Sequence, residues 1–141
     1  MPKQVSVTEA HALMSQGSTY IDVRSRPEFE AGHADGAINI PLAERSGPNP
    51  DFVHVVKTLF PPDAKLLIGC QVGGRSMRAS AILESFGFTD VSNVKGGFAG
   101  MRDPMGRLID PGWEESGLPV ETGAPEGRRY EDVAAKAGVD L

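Results

Sequence analysis

Short apolar segments alternate with amphipathic ones through most of this chain, and the alternation restricts the folds that the chain can adopt. Strand-like segments are predicted at residues 4–7, 20–23, 37–40, 65–69 and 90–94. Helix-like segments are predicted between them, at residues 9–14, 26–30, 51–59 and 76–86. Strands that alternate with helices favour a mainly parallel sheet covered on both faces. We therefore expect a three-layer α/β fold with a mainly parallel five-stranded sheet flanked by helices.

The only cysteine of the chain directly follows the fourth predicted strand. Ligands of open parallel sheets bind beyond the carboxyl ends of the strands, so Cys70 lies where chemistry is expected. The residues after it form a glycine-containing loop that leads into a helix: Gln71, Val72, Gly73, Gly74, Arg75 and Ser76. Backbone N–H groups of such a loop converge on one point, and the helix N-terminus adds partial positive charge. Both features favour the thiolate, which is the reactive form of cysteine.

The residue types in this loop indicate the chemistry. Converging N–H groups stabilise an anionic sulfur without a metal, and Arg75 adds a permanent positive charge. Ser76 can cap the helix or donate its hydroxyl to the sulfur. We therefore predict that Cys70 is a catalytic nucleophile that attacks an electrophilic sulfur and holds it as a persulfide, with the six loop residues binding the substrate. A structural cysteine in the core is the simpler alternative, but the polar, glycine-containing sequence after Cys70 does not favour it.

Composition narrows the environment and the partners. A chain of 141 residues is long enough for one domain with a sizeable core. Its net charge of −5 gives no general electrostatic support for binding nucleic acid. A single cysteine cannot form an internal disulfide, which favours a reducing compartment. The N-terminal sequence lacks a signal-peptide pattern, and no apolar run approaches the length that crosses a bilayer. We therefore expect a cytoplasmic protein with no membrane or nucleic-acid partner.

Three stretches of the sequence, in this order, resemble the single-domain members of the rhodanese family of sulfurtransferases. They are residues 22–41, the loop from Cys70 to Ser76, and residues 96–98 with 117–120. The resemblance implies a five-stranded parallel sheet between helices. It also implies transfer of sulfur from thiosulfate, or a similar small anionic donor, through a Cys70 persulfide to a thiol or cyanide. Glutathione and a thioredoxin-like protein are candidate thiol acceptors. We expect no cofactor and no metal, because the histidines and Cys70 lack the spacing of zinc ligands.

The sequence departs from the family pattern at Met101, where the family often has a tryptophan. Residues 101–112 are rich in proline, glycine and charge, and they are predicted to form an irregular loop insertion. We therefore expect a rhodanese-like domain over residues 1–120 with a loop insertion near 101–112. Residues 121–141 have no counterpart in the resemblance, and we expect a partly flexible C-terminal extension there. Residues 130–137 within it are compatible with a short helix.

Three other functions are known for proteins with a cysteine loop or fold of this kind, and each fits this sequence less well than sulfur transfer does. Cysteine-dependent phosphatases of the same fold use a C-x5-R loop, whereas only four residues separate Cys70 from Arg75, so phosphate should fit badly. Rhodanese-like folds also serve as non-catalytic interaction or regulatory modules, usually without the thiol that this chain keeps. A redox sensor would oxidise the thiol, but no second cysteine is available to resolve a sulfenic acid.

Two further sets of residues have structural interpretations. Asp22 and Arg24 lie at the end of the second predicted strand, and we expect an ion pair that supports the fold near the loop. His33 lies in a predicted turn, where a hydrogen bond to the backbone is expected rather than a catalytic role.

Overall fold

The computed structural model describes residues 2–141 and contains a five-stranded sheet with helices on both faces. The elements in chain order are β1 (Lys3–Val5), α1 (Val7–Met14), β2 (Thr19–Asp22), α2 (Arg26–Ala31), β3 (His33–Ala34), β4 (Ile38–Asn39), β5 (Ala43–Glu44), β6 (Gly47–Pro48), α3 (Phe52–Leu59), β7 (Leu66–Gly69), α4 (Gly74–Ser85), β8 (Val91–Val94), β9 (Met101–Arg102), β10 (Leu108–Asp110), β11 (Val120–Glu121) and α5 (Tyr130–Lys136). No helix within residues 2–141 is both long enough and apolar enough to cross a membrane.

The sheet has the strand order β1-β8-β7-β2-β4, and every neighbouring pair in it is parallel. This arrangement confirms the predicted fold class. Strand β7 lies at the centre of the sheet and is buried along its whole length, as expected for a parallel strand covered on both faces. The carboxyl end of β7 therefore brings the residue that follows it, Cys70, to the middle of the molecule.

Two apolar clusters cover the two faces of the sheet. Successive residues of a strand point to opposite faces, so Leu67 joins one cluster while its neighbours Leu66 and Ile68 join the other. The larger cluster includes buried side chains of α3, α4 and α5, and Cys70 belongs to it. The smaller one includes residues of α1 and α2 together with the fully buried Trp113. Each face thus has its own helical layer.

Residues 101–112 were expected to be irregular, but they contain an antiparallel hairpin of β9 and β10. Asp103 organises its turn, because its Oδ1 accepts hydrogen bonds from the backbone N–H groups of Met105 and Arg107 at 2.9 and 2.8 Å. Pro104 and Gly106 therefore belong to a turn between two short strands. Turns and irregular loops are rich in the same residues, which is why composition alone predicted an irregular loop.

The segment after residue 120 packs against the same core. Strand β11 pairs antiparallel with β3, and Glu121 accepts hydrogen bonds from Arg128 and lies 2.9 Å from Nε2 of His33. Helix α5 contributes Tyr130 and Val133 to the larger apolar cluster. His33 is buried, and its Nδ1 lies 2.6 Å from the carbonyl oxygen of Phe29, in keeping with its expected backbone contact. The domain boundary at residue 120 stays a prediction.

Candidate active site

The thiol of Cys70 is buried just beyond the end of β7. Its side chain is only 1% exposed, and two polar groups contact the sulfur. The backbone N–H of Gly73 donates to Sγ at 3.1 Å, and the thiol donates to Oγ of Ser76 at 3.3 Å. Within residues 2–141, Gly73 is the only loop residue whose N–H makes such a bond to the sulfur, so the expected ring of several converging amides is represented by one. The thiol is nevertheless paired with polar groups rather than surrounded by apolar ones alone.

The loop conformation follows from Gly73. This residue has a φ of +119°, a left-handed value that glycine adopts without the strain of a side chain, and it turns the N–H back onto the sulfur. Gly73 also serves as the N-cap of α4, which therefore begins at Gly74, two residues before the predicted start. Ser76 consequently lies in the first turn of α4, where its hydroxyl faces the thiol rather than capping the helix.

A second turn, which contains Gly97, contacts the backbone of the thiol loop. The N–H groups of Phe98 and Ala99 donate to the carbonyl oxygens of Cys70 and Gln71 at 2.8 and 2.9 Å. Gly97 lies against these same two carbonyl groups, and a methyl group at its Cα would clash with the Cys70 carbonyl oxygen. The close approach therefore requires glycine at position 97, and it fixes the backbone that carries the thiol.

Arg24 connects the end of β2 to the thiol loop. Its guanidinium forms the expected buried ion pair with Asp22, with 2.8 Å between Nη2 and Oδ2. The same group donates to Oε1 of Gln71 at 2.9 Å and to the carbonyl oxygen of Gly32 at 2.7 Å. Gln71 is therefore held on the side of β2, away from the sulfur-binding contacts of Gly73.

Arg75 points to a carboxylate and not to the sulfur. Its two terminal nitrogens donate to the two carboxylate oxygens of Glu28 at 2.8 and 2.9 Å, which is a bidentate ion pair. The hydrogen bonds from Arg75 are the main reason that the pKa of Glu28 falls from 4.5 to about 2. Glu28 thereby offsets part of the positive charge that Arg75 was expected to bring to the loop. The sequence offered no signal for this pairing, because the two residues lie far apart along the chain.

Asn93 is a buried polar residue next to the site that the sequence analysis did not select. It lies on β8, beside β7, and its Oδ1 is 2.5 Å from Oγ of Ser76. Its Nδ2 donates to Oε1 of Gln4 on β1 at 2.9 Å. An asparagine within a strand predicted to be buried on both faces was the available signal, since a buried amide needs partners.

Two cavities of similar size flank the thiol loop. One, of about 350 Å³, is lined by Gly73, Gly74 and Asn93 and also by Val72, which is 44% exposed. The other, of about 340 Å³, is lined by Arg24, Glu28, Gln71 and Phe98. A larger cavity of about 650 Å³ lies beside α2 and β5 and has no lining residue from the thiol loop. The two smaller cavities are therefore the better candidates for ligands that reach Cys70.

Comparisons with known proteins agree with the fold. The family model described as "Rhodanese-like domain" matches residues 6–103. Thiosulfate sulfurtransferase 16, chloroplastic, of Arabidopsis thaliana is 39% identical over 125 residues, which cover 86% of this chain and 94% of that protein. The human thiosulfate:glutathione sulfurtransferase is 33% identical over 101 residues, covering 67% of this chain and 88% of that protein.

One of these relatives corrects an expectation. The cytoplasmic assignment made from the sequence is contradicted, because the Arabidopsis thiosulfate sulfurtransferase carries a chloroplast designation. Rhodanese-like domain-containing protein 15 of the same plant is also named as chloroplastic; it is 35% identical over 125 residues, and the chain spans 62% of its length. The sequence argument failed because a free cysteine and a missing signal-peptide pattern do not identify one compartment.

Solved structures give the same result at the level of the fold. The crystal structure of Rv0390 from M. tuberculosis superposes with a TM-score of 0.73 at 25% identity, covering 86% of this chain and 98% of that one. A solution structure of the rhodanese-like domain of the Anabaena Alr3790 protein gives a TM-score of 0.67 at 23% identity, covering 86% of this chain and 80% of that one. The matched family model, the relatives and the shared fold together confirm the resemblance: this chain belongs to the rhodanese-like domain family.

Proposed function

We propose that this protein transfers a sulfane sulfur from thiosulfate, or a similar small anionic donor, to a thiol acceptor through a persulfide on Cys70. The observation that carries the proposal is the hydrogen bond from the Gly73 N–H to Sγ of the only cysteine, at the carboxyl end of the central strand. An N–H aimed at sulfur stabilises a thiolate or an anionic persulfide. Relatives named as thiosulfate sulfurtransferases support the same chemistry.

The first step loads the enzyme with sulfur. The Cys70 thiolate attacks the outer sulfur of thiosulfate, a new S–S bond forms, and sulfite leaves with the electrons of the bond that breaks. The Gly73 N–H faces the sulfur that changes charge in this step. The burial of Cys70 limits the access of water and of unrelated thiols to the persulfide.

The second step unloads the sulfur onto an acceptor. An acceptor thiolate attacks the outer sulfur of the persulfide, and Cys70 leaves as a thiolate, ready for the next donor. Such alternation of two half-reactions produces ping-pong kinetics. The name of the human relative, thiosulfate:glutathione sulfurtransferase, supports a small thiol as the acceptor, and a thioredoxin-like protein is the alternative of the same chemical class.

Intact-protein mass spectrometry tests the proposal directly. After incubation with thiosulfate, the protein should gain the mass of one sulfur atom, and added cyanide or glutathione should remove it. Because Cys70 is the only cysteine, the modified residue is identified without ambiguity. The Cys70→Ala variant should fold, gain no sulfur and show no transfer. Transfer by that variant at the rate of the unaltered protein would refute the persulfide mechanism.

A further inference from the structure

A chain of hydrogen bonds runs from the thiol across the sheet to the edge strand β1. The Cys70 thiol donates to Ser76, whose hydroxyl lies 2.5 Å from Oδ1 of Asn93. The amide nitrogen of Asn93 donates to Gln4, and the amide nitrogen of Gln4 donates to Sδ of Met77 at 3.2 Å. Every donor in this chain points away from the Cys70 sulfur. The direction of this chain depends on how the side-chain amides of Asn93 and Gln4 are oriented.

The partners of Asn93 fix the orientation of its amide. The parallel register of β1 and β8 places Gln4 beside Asn93, so that the two side-chain amides pair. Reversing the Asn93 amide would set its oxygen against Oε1 of Gln4, and both groups only accept. Turning Gln4 as well would exchange its N–H donor to Met77 for an oxygen, which cannot donate to a thioether. The carbonyl oxygen of Asn93 therefore faces Ser76.

Ser76 has a single hydroxyl proton, and two acceptors lie closer to its oxygen than the sulfur does. Oδ1 of Asn93 lies at 2.5 Å and the carbonyl oxygen of Gly73 at 3.1 Å, whereas Sγ of Cys70 lies at 3.3 Å. A Ser76 proton shared with Asn93 leaves oxygen lone pairs facing the sulfur. A thiolate would be repelled by those lone pairs, or would take the proton and leave the buried Asn93 oxygen with one partner fewer, which is costly.

We propose that Asn93 is a positioning residue for Cys70: by holding the Ser76 hydroxyl proton, it opposes ionisation of the thiol in the resting protein. Under the proposed function, on which its catalytic consequence rests, Asn93 sets the fraction of Cys70 that is ready to attack a donor. Asn93 and Gln4 also line the cavity of about 350 Å³ beside Gly73, so the hydrogen-bond chain ends where a ligand can reach it.

The ionisable side chains near Cys70 are the same in every variant of the test. Tyr20 of β2 is buried, and this burial raises its pKa. Asp22, the last residue of β2, forms a buried ion pair with Arg24. Arg75 of α4 forms an ion pair with Glu28 of α2. Asn93 and Ser76 are neutral. A shift on replacing Asn93 therefore reports the hydrogen-bond chain rather than a lost charge.

The test is the pH dependence of the rate at which iodoacetamide alkylates Cys70, which requires no sulfur-transfer activity. The Asn93→Leu variant keeps the side-chain size but removes the acceptor. Its alkylation midpoint should fall by roughly one pH unit, which corresponds to a tenfold gain in thiolate below the midpoint. The shift caused by Asn93→Leu should vanish in the Ser76→Ala background, because the effect passes through that hydroxyl.

Matched controls separate this result from a change in folding. Ser92→Ala alters the neighbouring residue of β8, which pairs in register with Leu67 on the other face, and it should not move the midpoint. If thermal unfolding shows that Asn93→Leu is poorly folded, Asn93→Ala replaces it, and its alkylation midpoint should also fall. A midpoint in Asn93→Leu that stays or rises, or an equal shift with Ser76 absent, would overturn the proposal. Failure of thiosulfate to load Cys70 would refute the proposed function alone.

Discussion

The charged residues around Cys70 form ion pairs with one another, and the strength of each ion pair determines whether its arginine can bind a substrate. The Arg24 guanidinium is buried and donates to Asp22, Gln71 and Gly32. Among residues 2–141, Arg75 has Glu28 as its one side-chain hydrogen-bond partner, and its side chain is about one-third exposed. A partly exposed ion pair exchanges partners at small cost, because water and added anions compete with it. Arg75 is therefore the cation near the loop that can turn from Glu28 to an anionic donor.

Replacement of Arg75 by alanine should weaken the use of thiosulfate more than it weakens the fold. Loss of one screened cation near the donor predicts a rise of roughly tenfold in KM for thiosulfate, corresponding to about 1.4 kcal/mol. Steady-state kinetics with thiosulfate and a fixed acceptor measure this change. Glu28→Gln should act in the opposite direction and lower KM, because it releases Arg75 from its carboxylate.

Arg78→Ala is the matched control for Arg75→Ala. Arg78 lies one turn further along α4 and is exposed, and its side chain has no hydrogen-bond or ion-pair partner among residues 2–141. Its removal deletes the same charge from the same helix and should leave KM within twofold. Equal increases in KM for the two variants would show that net charge, and not the position of Arg75, sets donor affinity.

Local sequence was enough to identify some of these residues but not others. Cys70, Gly73 and Ser76 lie within one loop and helix turn, so their contacts follow from backbone geometry that a strand–glycine–helix pattern already indicates. Asn93 and Glu28 reach the site only through the order of the strands and the docking of α2. No local pattern encodes those contacts. A polar residue in a buried strand was a signal for Asn93 alone, and it did not identify Ser76 or Gln4 as its partners.

At the scale of elements, the structure differs from expectation at helix boundaries, in the hairpin of residues 101–112 and in the C-terminal segment. Helix α1 follows a capping box of Ser6 and Glu9 and therefore begins at Val7, two residues before the predicted start at residue 9. The sequence of residues 130–137 was compatible with a helix but did not predict one, because the seven residues of α5 are too few to show a clear helical periodicity. Its apolar residues, buried against α3 and the sheet, explain its stability better than its intrinsic propensity does.

Removing apolar volume from α5 should therefore destabilise the whole domain. Val133→Ala deletes two methyl groups from a side chain that is 2% exposed, and we expect the free energy of unfolding to fall by about 1–3 kcal/mol. Urea denaturation followed by circular dichroism measures it. Lys136→Ala, an exposed change in the last turn of the same helix, should cost less than about 0.5 kcal/mol. Equal small effects would mean that α5 unfolds independently of the core.

At the scale of the whole molecule, the alternation of strands and helices was a sufficient guide to the parallel sheet, because crossover connections leave few alternatives. The packing of residues 120–141 against the rest of the domain was not predictable in the same way. It depends on the antiparallel pairing of β3 with β11 and on Glu121, whose partners are Arg128 and His33. His33 and Glu121 lie 88 residues apart, so their contact is a property of the finished fold.

This closure predicts a pH-dependent contribution to stability. Hydrogen bonds from Arg128, with a smaller contribution from His33, lower the pKa of Glu121 from 4.5 to about 2. A carboxylate whose pKa is lower in the folded state stabilises the fold above its ordinary pKa, and the contribution disappears as the pH falls from about 4.5 towards 2.

Glu121→Gln, which keeps an oxygen acceptor but no charge, should lower the free energy of unfolding by about 1–2 kcal/mol at pH 7, as measured by urea denaturation and after allowance for solvent screening. The difference from the unaltered protein should narrow steadily below pH 4.5 and nearly vanish at pH 2. Glu114→Gln, at an exposed position without a side-chain partner among the described residues, should give no such dependence. A Glu121→Gln deficit that stays constant from pH 7 to pH 2 would show that the ionised carboxylate does not hold the C-terminal segment in place.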